Sequence, residues 1–324
     1  MASAPHLQFK SVNYTGLGKG PRVIIMGATH GNEICGTEAI RRVMAELDSG
    51  ARRIVAGSVT FVPIVNPLAY FKNERNGDRN LNRNLFPKDD PQDFEDQIAN
   101  WLCPLLAQHD VLLDLHSFNA AKGEPFVMVG PVNNDGPLEP FVHAEKERAL
   151  AMRLGVRRFV TGWMAAYGGG VQRRTRGNAA ELETVLRYGV GTTEYMRSTG
   201  GYALTLECGQ HVDPKAPQVA YDAIVNTLAH LQLIEAPAPQ PVPFEAMEAL
   251  HMVAVYDKLD AADSFTRTWA SFDPVQEGEQ IGTRADGTPV LAEFSGRILF
   301  PDAKAGANSE WYYLTRANPE FGRA

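Results

Sequence analysis

From residue 22 to residue 234, short apolar runs alternate with segments of helical spacing. RVIIMGA (22–28), SVTFVPIV (58–65), DVLLDLH (110–116), EPFVMVG (124–130) and YALTLECG (202–209) read as strands. Between and after them, EICGTEAIRRVMAEL (33–47), DFEDQIANWLCPLLAQH (93–109), LEPFVHAEKERALAMRLG (138–155) and QVAYDAIVNTLAHLQLI (218–234) read as helices. Strands apolar on both faces, interleaved with helices, form a largely parallel sheet with a helical layer on each side. The expectation is an α/β domain over residues 1–234.

The texture changes after residue 234. EAPAPQPVPF (235–244) holds four prolines in ten residues, which makes a stiff, extended linker, taken as 235–246. Beyond it, LHMVAVYD, SFTRTWASF, EQIGTRAD, TPVLAEF, GRILFP and EWYYLTR are short strand candidates separated by turns such as DGT and FSG. Residues 247–324 therefore read as a small all-β unit.

The bulk properties exclude several partners. The chain has 324 residues and a net charge of −7, so no overall pull toward nucleic acid or an anionic membrane is expected. No apolar run is long enough to span a bilayer, and MASAPHLQFKSVNYTG lacks a secretory pattern. The three cysteines, Cys35, Cys103 and Cys208, form no C-x-x-C. A reduced, cytoplasmic compartment is the expectation. GLGKG (16–20) precedes the first strand and has the wrong spacing for a dinucleotide loop.

In open α/β sheets, ligands bind at the carboxyl ends of the strands. There the first strand run leads into His30 and Glu33, the third carries Asp114 and His116, and the last carries Glu207. Two imidazoles and one carboxylate are the donor set of a catalytic zinc site, so His30, Glu33 and His116 are candidate ligands. Asp114, two residues before His116 on a strand, faces the same side and either orients a ligand or simply shapes the site. Glu207 sits in an apolar run, where a charge needs a reason: a structural ion pair, or a base that steers water. The segment NPLAYFKNERNGDRNLNRNLFP (66–87) is rich in arginine and asparagine. It is either a solvated surface or a set of donors for a carboxylate and an oxyanion.

GATHGNE, NERNGDRNLNRNLFP, DLHSF and TLECG, in that order, resemble the succinylglutamate desuccinylase/aspartoacylase family, relatives of the zinc carboxypeptidases. The resemblance covers most of residues 20–234, and VQEGEQIGTRADGTPVLAEFSGRILFP resembles the small β domain of such proteins. It implies a three-layer, zinc carboxypeptidase-like α/β fold with a mixed, largely parallel sheet and a small C-terminal all-β domain. It also implies one Zn2+ per chain, held by His30, Glu33 and His116, with Glu207 as general base and acid. Arg75 would polarise the scissile carbonyl, Asn82 and Arg83 would grip a substrate carboxylate, and Arg197 would add a further contact. The implied activity is zinc-dependent hydrolysis of the amide bond of a small anionic N-acyl amino acid. The chain departs from the family at Asn80, where the family commonly has aspartate. Tyr195, Tyr312 and Tyr313 are candidates for a substrate tyrosine.

Two rival readings stay open at this level: a carboxypeptidase-like peptidase using the same site, and a non-catalytic zinc-dependent ligand-binding protein. The stretch YGGGVQRRTRGN (167–178) reads as a loop, either mobile and solvated or lining an anionic entrance. The β unit leaves a homo-oligomeric contact open.

Overall fold

The apolar runs pair side by side because each has two faces to bury. The structure, a computed structural model, describes residues 7–120, 123–131, 140–175, 184 and 186–321. Its strands are β1 (Val12–Thr15), β2 (Gly18–Gly27), β3 (Ala56–Val62), β4 (Val111–Phe118), β5 (Phe126–Met128), β6 (Arg158–Thr161) and β7 (Tyr202–Gln210). They continue with β8 (Glu248–Lys258), β9 (Ser264–Phe265), β10 (Pro274–Val275), β11 (Gln280–Thr283), β12 (Pro289–Leu291), β13 (Gly296–Leu299) and β14 (Ser309–Ala317). The helices are α1 (Cys35–Asp48), α2 (Pro67–Lys72), α3 (Phe94–Leu106), α4 (Ala144–Ala151), α5 (Trp163–Arg174), α6 (Thr192–Ser198) and α7 (Ala216–His230).

The centre of the sheet is parallel: β2 pairs with β3 and β4, and β4 with β7. Side chains alternate between the two faces. Val23 and Ile25 pack in one cluster with Ile40 and Val43 of α1 and Ile224 and Leu228 of α7. Ile24 and Met26 pack in the opposite one with Ile98, Leu102 and Leu106 of α3. Burying one such aliphatic side chain stabilises the fold by about 1.5–3 kcal/mol. The result is an α/β architecture with helices on both faces of a largely parallel sheet, as the sequence pattern predicts. Among the described residues, no helix is long and apolar enough to cross a membrane.

The C-terminal strands do not stand apart from this sheet. β8 pairs in parallel with β6, and β14, β13 and β10 follow, so one eleven-stranded sheet runs β1-β3-β2-β4-β7-β5-β6-β8-β14-β13-β10 among the described residues. A separate three-stranded antiparallel sheet, β12-β11-β9, completes the small β region. The proline-rich stretch packs back on the end of α4, with the Val242 amide donating to the Met152 carbonyl at 2.8 Å.

Several local expectations are corrected. The helix read over 138–155 is short, Ala144–Ala151, and residues 132–139 lie outside the described ones. The segment after Asn66 opens with a helix, α2, because the Asn66 side chain accepts from the Ala69 amide and Pro67 starts the first turn. Most of the stretch read as a glycine loop is helix α5, while Arg176 lies outside the described residues. Glycine is needed there for closeness: a Cβ on Gly170 would sit 2.4 Å from Val255 of β8. Arg174 then pairs with Asp257 of β8 at 2.7 Å. Tertiary packing thus overrides the helix cost of three glycines.

Candidate metal centre

The strand ends bring the predicted groups to one place. β2 ends at Gly27, and Ala28 turns the chain with a left-handed φ of 51°. Such a residue costs on the order of 1–3 kcal/mol and persists only where its surroundings hold it. The turn delivers Thr29, which donates to Asp114 Oδ1 at 2.9 Å, and then His30. Glu33 follows at the entry to α1, its amide donating to the His30 carbonyl at 3.1 Å. On the neighbouring strand, His116 is in register with Glu207 of β7. His30, Glu33 and His116 are all buried, and each offers a ligand atom within 4.8 Å of the others.

The Glu33 carboxylate lies between the two imidazoles. Its Oε1 is 2.9 Å from His30 Nδ1 and accepts from Arg75 Nη1 at 2.8 Å. Its Oε2 is 2.9 Å from His116 Nδ1 and accepts from the Ser117 amide at 3.1 Å. Behind the imidazoles, His30 Nε2 meets Asn80 Oδ1 at 3.0 Å, and His116 Nε2 lies 3.0 Å from Asp114 Oδ2. Asp114 is held in turn by the Thr192 hydroxyl at 2.6 Å. One histidine is thus backed by a neutral amide and the other by a carboxylate.

Eight buried side-chain atoms find no hydrogen-bond partner of good geometry among the described residues, and three of them belong to this cluster: His30 Nδ1, His116 Nε2 and Glu207 Oε2. Their cost is otherwise difficult to justify in a core. The electrostatics carry the same message. Burial, then the Arg75 cation, lowers the His30 pKa to about 4. Burial opposes charge on His116, yet Asp114 and Glu33 outweigh it and hold its pKa well above the usual value. Burial also opposes ionisation of Glu33, but His30 and His116 prevail and hold its pKa well below the carboxylate range. Glu207 is pushed up to about 8, by burial first and then by the Glu33 charge. With its imidazole proton removed, the same donor set fits a divalent cation.

The other predicted residues are placed as follows. Arg75 lies between α2 and Asn80, half exposed, with one guanidinium nitrogen on Glu33. The Asn82 side chain accepts from the Thr192 amide at 2.8 Å, which ties its loop to the start of α6. Arg83 Nη1 donates to the Asn82 carbonyl at 2.8 Å, Nη2 is 3.3 Å from Glu310 Oε2, and the guanidinium lies over the Trp163 ring. Arg197 has other partners: it is buried, and it donates to both oxygens of Glu147 at 2.9–3.0 Å and to the Ala203 carbonyl at 2.8 Å. Tyr313 donates to Glu310 at 2.7 Å, whereas Tyr312 stacks on Tyr256 and Tyr195 packs on Phe86.

Two groups, one beside Arg83 and one beside the centre, escape sequence reasoning. Glu310 comes from β14, more than two hundred residues from Arg83, and no local pattern flags it. His211 bonds the Ser117 hydroxyl at 2.8 Å, next to His116. Its position four residues after Glu207, at the same strand end, is the signal that could have found it.

Residues 19–146 match the succinylglutamate desuccinylase/aspartoacylase catalytic domain. The matched stretch carries His30, Glu33, the Arg75 loop and His116. Over 104 residues it is 34% identical to an N-alpha-acetyl-L-2,4-diaminobutyric acid deacetylase of Halomonas elongata, which is 31% of this chain and 29% of that protein. Over 114 residues it is 33% identical to a probable aspartoacylase of Prochlorococcus marinus, 34% of this chain and 37% of that one. The matches thus span about a third of those relatives. A solved succinylglutamate desuccinylase/aspartoacylase from Rhodobacter sphaeroides superposes with a TM-score of 0.70 at 18% identity. That likeness covers 96% of this chain and 90% of the other, and it shows that the desuccinylase/aspartoacylase fold extends through the C-terminal region.

Proposed function

We propose that this desuccinylase/aspartoacylase-like chain is a zinc-dependent amidohydrolase that cleaves the amide bond of an N-acyl amino acid. The observation that carries the reading is the buried His30–Glu33–His116 triangle with the unpaired Glu207 carboxyl oxygen close by. Two imidazoles and one carboxylate suit zinc and leave a position open for substrate or water. His30, Glu33 and His116 would hold the ion. Zinc, when bound, polarises a carbonyl and makes water acidic enough to attack near neutral pH.

The remaining steps belong to side chains. Arg75 presents its free guanidinium edge to the developing oxyanion. Glu207 takes a proton from the attacking water and passes it to the leaving nitrogen. Water oxygen bonds to the acyl carbon, the carbon–nitrogen bond breaks, and a carboxylic acid and an amine leave. Arg83 and Asn82 are the proposed grip on the substrate carboxylate. Arg197, committed to Glu147, has no part in this scheme.

Metal analysis of purified protein, followed by amine release from a panel of N-acyl amino acids and short peptides, tests the reading. Equimolar zinc and amine release from N-acyl amino acids are expected, and His116→Ala should lose both. Full zinc occupancy with no hydrolysis would turn the reading to ligand binding, and a preference for peptides would turn it to a peptidase.

Asp114 gives a separate test of the centre. Outer groups that orient a metal-bound imidazole typically contribute about 10–100-fold in metal affinity. Asp114→Asn should weaken zinc binding by about that factor in a competition titration against a chelator. Unchanged affinity would remove Asp114 from the support of His116.

A further inference from the structure

Glu95, in the first turn of α3, is fully buried at 0% exposure, and its charge is satisfied almost entirely by one loop. Its Oε1 accepts from the Gly77 amide at 2.9 Å, the Asp78 amide at 3.2 Å and Asn66 Nδ2 at 2.8 Å. Its Oε2 accepts from the Asp78 amide at 3.0 Å and the Arg79 amide at 3.2 Å. Three successive backbone N–H groups thus form an anion-binding concavity that an internal carboxylate fills. Charge-assisted bonds of this kind are stronger than neutral ones.

The loop so held carries both groups that reach the metal centre from this side. Arg75, two residues before Gly77, donates to Glu33. Asn80, one residue after Arg79, meets His30. The space is closed as well as bonded: a Cβ on Gly77 would lie 2.5 Å from Glu95 Oε1. Neighbouring carboxylates act on the same loop from outside, since Arg79 pairs with Asp93 and Asp96 at 2.8 and 2.7 Å. Among these acidic groups, Glu95 is the one that bonds the loop backbone at three consecutive amides.

We infer that Glu95 is a positioning residue, which sets Arg75 and Asn80 against the metal centre by fixing the backbone of residues 77–79. The inference rests on the role proposed above for Arg75. A displacement of about 1 Å in a catalytic group can cost on the order of 10²-fold in rate. Glutamine keeps the shape of Glu95 but has one acceptor oxygen, and its amide nitrogen would face N–H donors.

The test is a double-mutant cycle with amide hydrogen exchange. Glu95→Gln should lower kcat about 10–100-fold with the Arg75 side chain present, and less than about twofold in an Arg75→Ala background, because groups acting as a unit are non-additive. Exchange at the 77–79 amides should quicken. Should Glu95→Gln fail to fold, Gly77→Ala displaces the same loop and enters the same cycle with the same expectation. An equal loss of kcat in both backgrounds, or unaltered exchange in the substituted protein, overturns the inference. If the wild-type protein hydrolyses nothing, the functional reading falls separately. Exchange and zinc affinity then decide this one: quickened exchange with affinity about tenfold weaker, through Asn80 and His30, supports it, and unchanged affinity overturns it.

Discussion

Glu207→Gln is expected to leave zinc in place and to lower kcat by about 10²–10⁴, the range for loss of a positioned acid–base group. The substitution conserves shape, so the register of β7 against β4, His116 opposite Glu207, is kept. It removes only the ability to accept a proton. The carboxyl group suits that task because burial and the nearby Glu33 charge raise its affinity for protons, to a pKa of about 8. Its Oε2 has no hydrogen-bond partner among the described residues, so no structural bond is sacrificed. Stoichiometric zinc with kcat close to wild type would remove Glu207 from proton transfer. Loss of the metal would make it a ligand instead.

Arg75→Ala should lower kcat by about 10²–10³, the usual cost of deleting a preorganised oxyanion donor. The side chain is half exposed, so its removal opens no cavity in the core. Glu33 keeps its contacts with His30, His116 and the Ser117 amide, so the zinc content should hold. Arg75→Lys should restore little, because an ammonium cannot serve Glu33 and a substrate oxygen with the fixed fork of a guanidinium. The measurement is steady-state kinetics on zinc-loaded protein with melting temperature as a control. An unchanged kcat in the folded variant would assign Arg75 to the support of Glu33 alone.

The two predictions test different halves of one scheme. Glu207 sits in strand β7, whereas Arg75 lies on the loop after α2. Removing each in turn separates proton transfer from charge stabilisation. Neither depends on which acyl group or amino acid is the substrate.

Legibility in the sequence followed the range of the forces involved. The strands β2, β4 and β7 were readable because burial on both faces demands continuous apolar residues, a local property. His30 and Glu33 were readable as a pair because one turn separates them. Asp114 and His116 share a strand face by simple alternation, which placed one behind the other. The α5 helix was not readable: three glycines argue against a helix, and the close approach to Val255 that explains one of them, Gly170, is a tertiary contact. The start of α2 was likewise set by local capping, the Asn66 side chain on the Ala69 amide, which periodicity does not report.

The residues around Arg83 and Arg197 show the limit more sharply. Both are arginines near matching motifs, and composition treats them alike. The structure gives Arg83 a neighbour on β14, Glu310, and surrounds Arg197 with Glu147 and the Ala203 carbonyl. How much of an arginine's fork is left for a ligand depends on partners that only folding brings to it.

By itself, the sequence determined the α/β alternation, the residue types at the strand ends and hence the chemistry the chain could support. Only the tertiary structure decided that three of those side chains meet within 4.8 Å, that Glu95 holds the Arg75 loop, and that the C-terminal strands extend the main sheet. The reason is physical. Hydrophobic periodicity and turn propensity act between residues close in the chain, whereas a metal centre, a buried ion pair and a shared sheet are made by groups that only folding brings together.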